Sequence, residues 1–212
     1  MTINNPSNAE NSPALDALAW NSRYEEKNNP WDLTTPTPEF ERLVKEKTYL
    51  TTGKEVLIPG SGLGNDALLL ARNGMHVSCV EFAALPNIVL LAKAQEEKLL
   101  LKIFQRDFFS LQQEGFFQER FDVFLEYTFF CAISPELRKN YVKLAHYALK
   151  ARGLLIGLFF PMDGRSGGPP FAVTKEEITE LFQNQFEVSW ETPKNSVKPR
   201  EGKELLGIFR KK

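Results

Sequence analysis

The sequence predicts an α/β fold: a doubly wound sheet of seven strands, mostly parallel, ending in an antiparallel C-terminal hairpin. Three observations carry this. From Glu55 to Phe160, short apolar runs alternate with stretches of helical spacing, the pattern of parallel strands joined by crossover helices. A glycine-rich turn, Pro59 to Gly64, separates the first strand from the helix after it. The last two apolar runs follow one another with no helix between, so they pair antiparallel at the sheet edge.

In chain order, Leu15 to Tyr24 reads as a short amphipathic helix, and Asn28 to Pro38, with three prolines, as loop. Glu39 to Tyr49 has helical spacing, with Phe40, Leu43 and Val44 on one side. Glu55–Ile58 is the first strand. Asn65–Asn73 is a helix stopped by Gly74. His76–Val80 is the second strand, Ala84–Lys98 a helix, Lys102–Gln105 the third strand. Phe121–Leu125 is the fourth, after a polar loop. Pro135–Leu149 is a long helix with Gly153 as its stop, and Leu154–Phe160 a fully apolar fifth strand. Lys175–Asn184 is a helix capped by Thr174, with Glu177 at the capping-box position. Phe186–Glu191 and Glu204–Arg210 form the hairpin. The arrangement is Rossmann-like.

A chain of 212 residues suggests one domain, which we place at residues 14–212 with 14–49 as a helical lid and 1–13 as a disordered tail. With 42% hydrophobic and 25% charged residues it can bury an ordinary core, and most of its 17 Phe are expected there. A net charge of -1 and no basic stripe argue against a nucleic-acid partner. No apolar run approaches a membrane span, and residues 1–13 lack a signal peptide's features, so a cytoplasmic protein is expected; the sequence leaves the oligomeric state open, with a monomer favoured. Cys79 and Cys131 lie in apolar runs and read as packed thiols. His76 and His146 offer no metal-ligand spacing, so no metal site is expected.

The chemistry sits around the glycine-rich turn. Gly60-Ser61-Gly62-Leu63-Gly64 lets the backbone turn tightly against a ligand, and the following helix presents free N–H groups. Glu81 ends the second strand, placed to accept from two ribose hydroxyls; a solvated strand end is the alternative. Counted from Gly62 through Gly64 to Ala67, the loop also satisfies the dinucleotide pattern, so by itself it does not exclude NAD. The form Gly60, Gly62, Gly64 is the one seen in enzymes that use S-adenosylmethionine (SAM). Asp107, after the third strand, can accept from an adenine amino group with Phe108 against the ring, or cap the next turn. Trp20 and Trp31 could hold a sulfonium cation or simply pack.

With these motifs in view, the chain resembles the thiopurine S-methyltransferase superfamily, and within it the plant halide and thiocyanate methyltransferases. The likeness runs from about Trp20 to the C-terminus. It rests on Trp20-x3-Tyr24, Asn29-Pro30-Trp31-Asp32, Leu57 to Gly62 and Arg106-Asp107-Phe108. The longest segments are Glu126 to Pro135, Phe160 to Asp163, and Gly167-Gly168-Pro169-Pro170-Phe171.

The resemblance implies SAM as cofactor, in a class I methyltransferase. Trp20, Tyr24 and Trp31 would close over SAM; Gly60, Ser61, Gly62 and Glu81 would hold its amino-acid and ribose parts; Asp107 and Phe108 would hold adenine. Tyr127 would sit beside the methyl group and Phe171 border the acceptor. Tyr24 stands for a Trp of the plant proteins, Glu81 and Glu126 for Asp, Ser61 for Cys or another small residue, and Phe171 for Tyr. The implied acceptor is a small soft nucleophile: a thiol, bisulfide, a halide or thiocyanate. A non-catalytic SAM-binding protein is one alternative. An NAD(P)-dependent oxidoreductase is another, although Tyr127 is followed by Cys131 where a Tyr-x3-Lys pair would need lysine.

Overall fold

The computed structural model describes residues 16–113 and 115–212; the expected tail, residues 1–13, lies outside them. Seven strands form one sheet: β1 Glu55–Pro59, β2 His76–Glu81, β3 Leu101–Gln105, β4 Phe121–Tyr127, β5 Leu149–Phe159, β6 Phe186–Glu191 and β7 Leu205–Lys211, in the order β3-β2-β1-β4-β5-β7-β6. The first five run parallel, and β7 lies antiparallel between β5 and β6. Strand order therefore reverses between β1 and β4. In a doubly wound sheet this opens a crevice beyond the carboxyl ends of those strands.

The strands are covered on both faces. Along β4, Phe121 and Phe124 enter one apolar cluster, while Val123 and Leu125 enter the other. The first cluster holds most of the buried phenylalanines, packed with Tyr141 of α5 (Arg138–Ala148) and Phe182 of α6 (Lys175–Phe182). The second sits under α2 (Pro38–Glu46), α3 (Asn65–Arg72) and α4 (Ala84–Glu96). In α2 the stripe Phe40, Leu43, Val44 is buried, as its spacing predicts.

The structure differs from the sequence reading in four places. Helix α1, Ala17–Glu25, is capped by Asp16 but buries no side chain, and Leu18 is 78% exposed. It lies across the end of the sheet, where its amide-bearing Asn21 accepts from the Leu85 N–H of α4 at 2.8 Å. Helix α2 stops at Glu46, because Lys47 turns left-handed (φ 53) so that Leu50 can enter the core.

The long helix opens as a 3-10 turn, Pro135–Leu137, and ends at Ala148 without help from Gly153. Gly153 instead lies inside β5, at a register shift where Phe121 faces Leu149 but Val123 faces Leu154. A Cβ there would come 2.9 Å from the Lys150 carbonyl and 3.2 Å from that of Phe121, so a side chain has no room. Finally, Thr174 caps α6 by accepting from the Glu177 N–H at 3.0 Å, but the Glu177 carboxylate pairs with Arg138 instead of returning to the cap.

Candidate active site

Beyond the carboxyl ends of the parallel strands lies a cavity of about 650 Å³. Its wall is built by the glycine loop, the ends of β2 and β3, the turn after β4, the segment after β5, and α1 with the chain that follows it.

The loop owes its path to Gly60, whose φ is +55 and where a Cβ would come 2.3 Å from the Phe129 ring. Only glycine combines that backbone conformation with so close a neighbour. The loop is tied to β2 through Glu81. One carboxylate oxygen accepts from Gly62 N–H at 3.2 Å, the other from Ala83 N–H at 2.9 Å. Glu81 is 7% exposed and lines the cavity, so it is no solvated strand end. Burial raises its pKa, and the N–H bonds oppose that rise. The carboxylate keeps acceptor capacity for a ligand at the cavity wall.

Asp107 does cap the turn it precedes: one oxygen accepts from Phe109 N–H at 2.9 Å. It also lines the cavity, as does Phe108, which is otherwise buried edge-on against Phe124 and Phe129.

From the N-terminal side come Trp20, Tyr24 and Trp31. The two tryptophan rings meet edge to face at 5.2 Å, Tyr24 meets Trp31 at 5.6 Å, and the Trp31 indole N–H donates to the Tyr24 hydroxyl at 3.3 Å. The Arg23 guanidinium lies 5.2 Å from the Trp20 ring.

The structure thus gathers Trp20, Tyr24, Trp31, Gly60, Glu81, Asp107 and Phe108 around one cavity. Ser61, Gly62 and Tyr127 line an adjoining recess of about 70 Å³ that shares Tyr24, Trp31 and Gly60 with it. Phe171 lines neither: its N–H donates to the Cys131 carbonyl at 2.7 Å, and its ring turns onto Gly168. The neighbouring Pro169 and Pro170 face the cavity instead.

The turn after β4 is shaped by Glu126, which is 1% exposed. It accepts from Phe129 and Phe130 N–H at 3.0 and 2.8 Å and from the Tyr141 hydroxyl at 2.5 Å. Burial pushes its pKa up to about 7. Cys131, on the same turn, donates to the Thr128 carbonyl, and burial pushes its thiol up to about 12, which suits a packed residue.

Sequence reasoning missed Arg200. It lies in a polar run, Lys198-Pro199-Arg200-Glu201, that reads as solvated. In the fold it is 7% exposed and reaches the cavity, donating to the Tyr127 hydroxyl and, at 3.0 Å, to the Trp31 carbonyl. Tyr127 in turn donates to Glu204 at 3.0 Å. Among the described residues there is no group of three His, Cys, Asp or Glu that could hold a metal, and no helix is long and apolar enough to cross a membrane.

Comparison with known proteins gives the family. The profile of the family described as thiopurine S-methyltransferase matches residues 15–212. "Probable thiol methyltransferase 2" of Arabidopsis thaliana is 35% identical over 198 residues, 91% of this chain and 84% of that protein. A thiopurine S-methyltransferase of Pseudomonas aeruginosa is 28% identical over 189 residues, 82% of this chain and 85% of that one.

Among solved structures, the chain superposes on a Burkholderia thailandensis N1-methyltransferase described with bound 1,6-didemethyltoxoflavin and S-adenosylhomocysteine. The TM-score is 0.74 at 18% identity, covering 99% of this chain and 93% of that one. A TehB-like SAM-dependent methyltransferase of Corynebacterium glutamicum gives a TM-score of 0.64 at 16% identity, covering 92% and 98%. At these identities the solved structures speak for the fold alone. The profile match over residues 15–212 and the plant relative decide the family: this chain belongs to the thiopurine S-methyltransferase family and is a SAM-dependent methyltransferase.

Proposed function

We propose that the chain methylates a small soft nucleophile, a thiol, bisulfide, a halide or thiocyanate, with SAM held across the glycine loop. The cavity fits that ligand. Its volume of about 650 Å³ lies within the range of small-molecule sites. The Glu81 carboxylate at the cavity wall can accept from ribose hydroxyls, and the Asp107 oxygen not used in capping matches an adenine amino group, with Phe108 beside the ring. Trp20, Tyr24 and Trp31 form a lid over the sulfonium side, which aromatic faces attract. Gly60, Ser61, Gly62 and Tyr127 border the amino-acid side. SAM supplies an electrophilic methyl group, which the acceptor's lone pair takes as the carbon–sulfur bond breaks and its electron pair stays with sulfur.

One observation carries the choice of acceptor. The segments after β4 and β5 and the turn between β6 and β7 contribute Cys131 to Ser134, Leu137, Phe160, Arg165, Pro169, Pro170, Pro199 and Arg200 to the cavity wall, and among these there is no Asp, Glu or His to act as a general base. Soft anions need none; the site has only to align them and exclude water. The names of the plant relatives, thiol and thiocyanate methyltransferases, support the same reading.

The test is incubation of the purified chain with SAM and a panel of iodide, thiocyanate, bisulfide and small thiols, with mass spectrometry of the headspace. Methylated volatiles are expected. SAM turnover only with a large aromatic acceptor, or NAD binding in place of SAM, would overturn the reading.

A further inference from the structure

We infer that Phe129 is the brace that sets the spacing of the cofactor site, and that Glu126 is the residue that positions this brace. This rests on the reading of the cavity as a SAM site given above.

Phe129 touches both halves of that site. On one side lies the glycine loop: the space a Cβ of Gly60 would fill is taken by the Phe129 ring, whose Cδ2 would stand 2.3 Å away. On the other side lies Phe108, whose ring meets that of Phe129 edge to face at 5.4 Å. The Phe129 ring also lines the cavity. The loop is bonded to Glu81 through Gly62 N–H, and Phe108 directly follows Asp107. One ring therefore stands between the groups proposed for ribose and those proposed for adenine. A ligand that bridges the two needs them at one separation, and groups already held there lose less freedom on binding.

The turn that carries the ring needs support. It starts at Thr128 in left-handed backbone, φ 60, which a residue with a branched side chain adopts at a cost. Glu126, near the end of β4, lies on the same face of the strand as Phe124. One carboxylate oxygen accepts from both Phe129 and Phe130 N–H, and the other accepts from the Tyr141 hydroxyl. Tyr141 is fully buried on α5, with its ring against those of Phe108, Phe129 and Phe130. The helix thus pins the carboxylate, and the carboxylate holds the turn. The Phe129 carbonyl is fixed as well, accepting from Ala132 and Ile133 N–H at 2.9 and 3.2 Å. With both its backbone groups held, the direction of the Phe129 side chain follows. Glu126 itself is 1% exposed and does not line the cavity, so it acts only through the turn. A carboxylate buried without a cation is costly where an apolar side chain of that size is not. Its bonds serve the turn and not the core.

The experiment uses the full chain and four variants: Phe129→Leu, Glu126→Ala, Glu126→Gln, and Glu126→Ala combined with Phe129→Leu. Calorimetry with S-adenosylhomocysteine gives the dissociation constant, and urea unfolding confirms that each variant is folded under the assay conditions. F129L and E126A should each weaken binding about 10-fold. Because Glu126 acts through Phe129, the pair should lose no more than about twofold beyond F129L, whereas independent effects would multiply to about 100-fold. E126Q, whose side-chain carbonyl can accept from both amides, should recover most of the affinity that E126A loses. A Glu126 that served stability alone would lower the urea midpoint of E126A and leave binding to the folded chain unchanged. That result would overturn the proposal, as would multiplying losses in the pair or wild-type affinity in F129L; the F129L arm stands even if E126A does not fold. A wild type that binds no S-adenosylhomocysteine would instead sink the SAM reading itself, and the proposal with it.

Discussion

Replacing Glu126 by Gln should flatten the pH dependence of stability. The carboxylate is 1% exposed, accepts three hydrogen bonds, and has no cation paired with it among the described residues. Burial is the largest influence on it. The bonds from Phe130, Tyr141 and Phe129 offset burial in part, and the pKa rises from 4.5 to about 7. Because the folded value lies above the unfolded one, the folded state holds the proton more tightly. The stabilisation is complete below pH 4.5 and is lost as pH rises to about 7. At about 1.4 kcal/mol per pH unit the loss amounts to about 3 kcal/mol.

In the Gln variant the side-chain carbonyl can accept from the Phe129 and Phe130 amides, and the NH2 can donate to the Tyr141 hydroxyl. The geometry survives and the titration disappears. Urea unfolding followed by tryptophan fluorescence, at fixed ionic strength from pH 4.5 to 8, reads the difference directly. At low pH the variant should be less stable by about 1 kcal/mol, the worth of a charge-independent exchange of hydrogen bonds. By pH 8 it should be the more stable of the two, the difference having moved by about 3 kcal/mol. Parallel stability curves for the two proteins would refute the reasoning.

Three further outcomes are expected. Glu81→Ala should weaken S-adenosylhomocysteine binding by about 1–3 kcal/mol, and it should also lower stability, because the Gly62 and Ala83 N–H groups lose their acceptor; an unchanged dissociation constant in calorimetry would remove Glu81 from the site. Gly60→Ala places a Cβ 2.3 Å from the Phe129 ring at φ +55, a backbone strain of about 1–2 kcal/mol before any clash; circular dichroism should stay native-like while ligand-induced thermal stabilisation is lost, and a wild-type thermal shift would contradict the assigned loop path. Hydrogen exchange from Trp20 to Thr34 should slow on S-adenosylhomocysteine binding, since α1 buries no side chain of its own; deleting residues 1–12 should do little and deleting 1–34 should abolish activity with the sheet intact, whereas full activity after the longer deletion would make the tryptophans packing residues.

The sequence determined what depends on neighbours along the chain. The alternation of apolar runs and helical spacing located all seven strands, and β6 falls on the expected residues, Phe186–Glu191. Gly60 and Glu81 were legible because a turn that needs left-handed backbone, and an acid a fixed distance beyond it, leave a local mark. Asp107 was legible only as two possibilities, and its side chain both caps and faces the cavity. Gly153 was misread as a helix stop because a glycine's place in a strand depends on the partner strand, here the Phe121 carbonyl.

The tertiary structure alone decided the rest. It set the strand order that opens the crevice between β1 and β4, turned Phe171 aside through its bond to Cys131, and drew Arg200 inward. Arg200 meets Trp31 across 169 positions of chain and Tyr127 across 73. Nothing in Lys198 to Glu201 records those partners. A charged residue's burial is set by what surrounds it in space, and no local pattern encodes it.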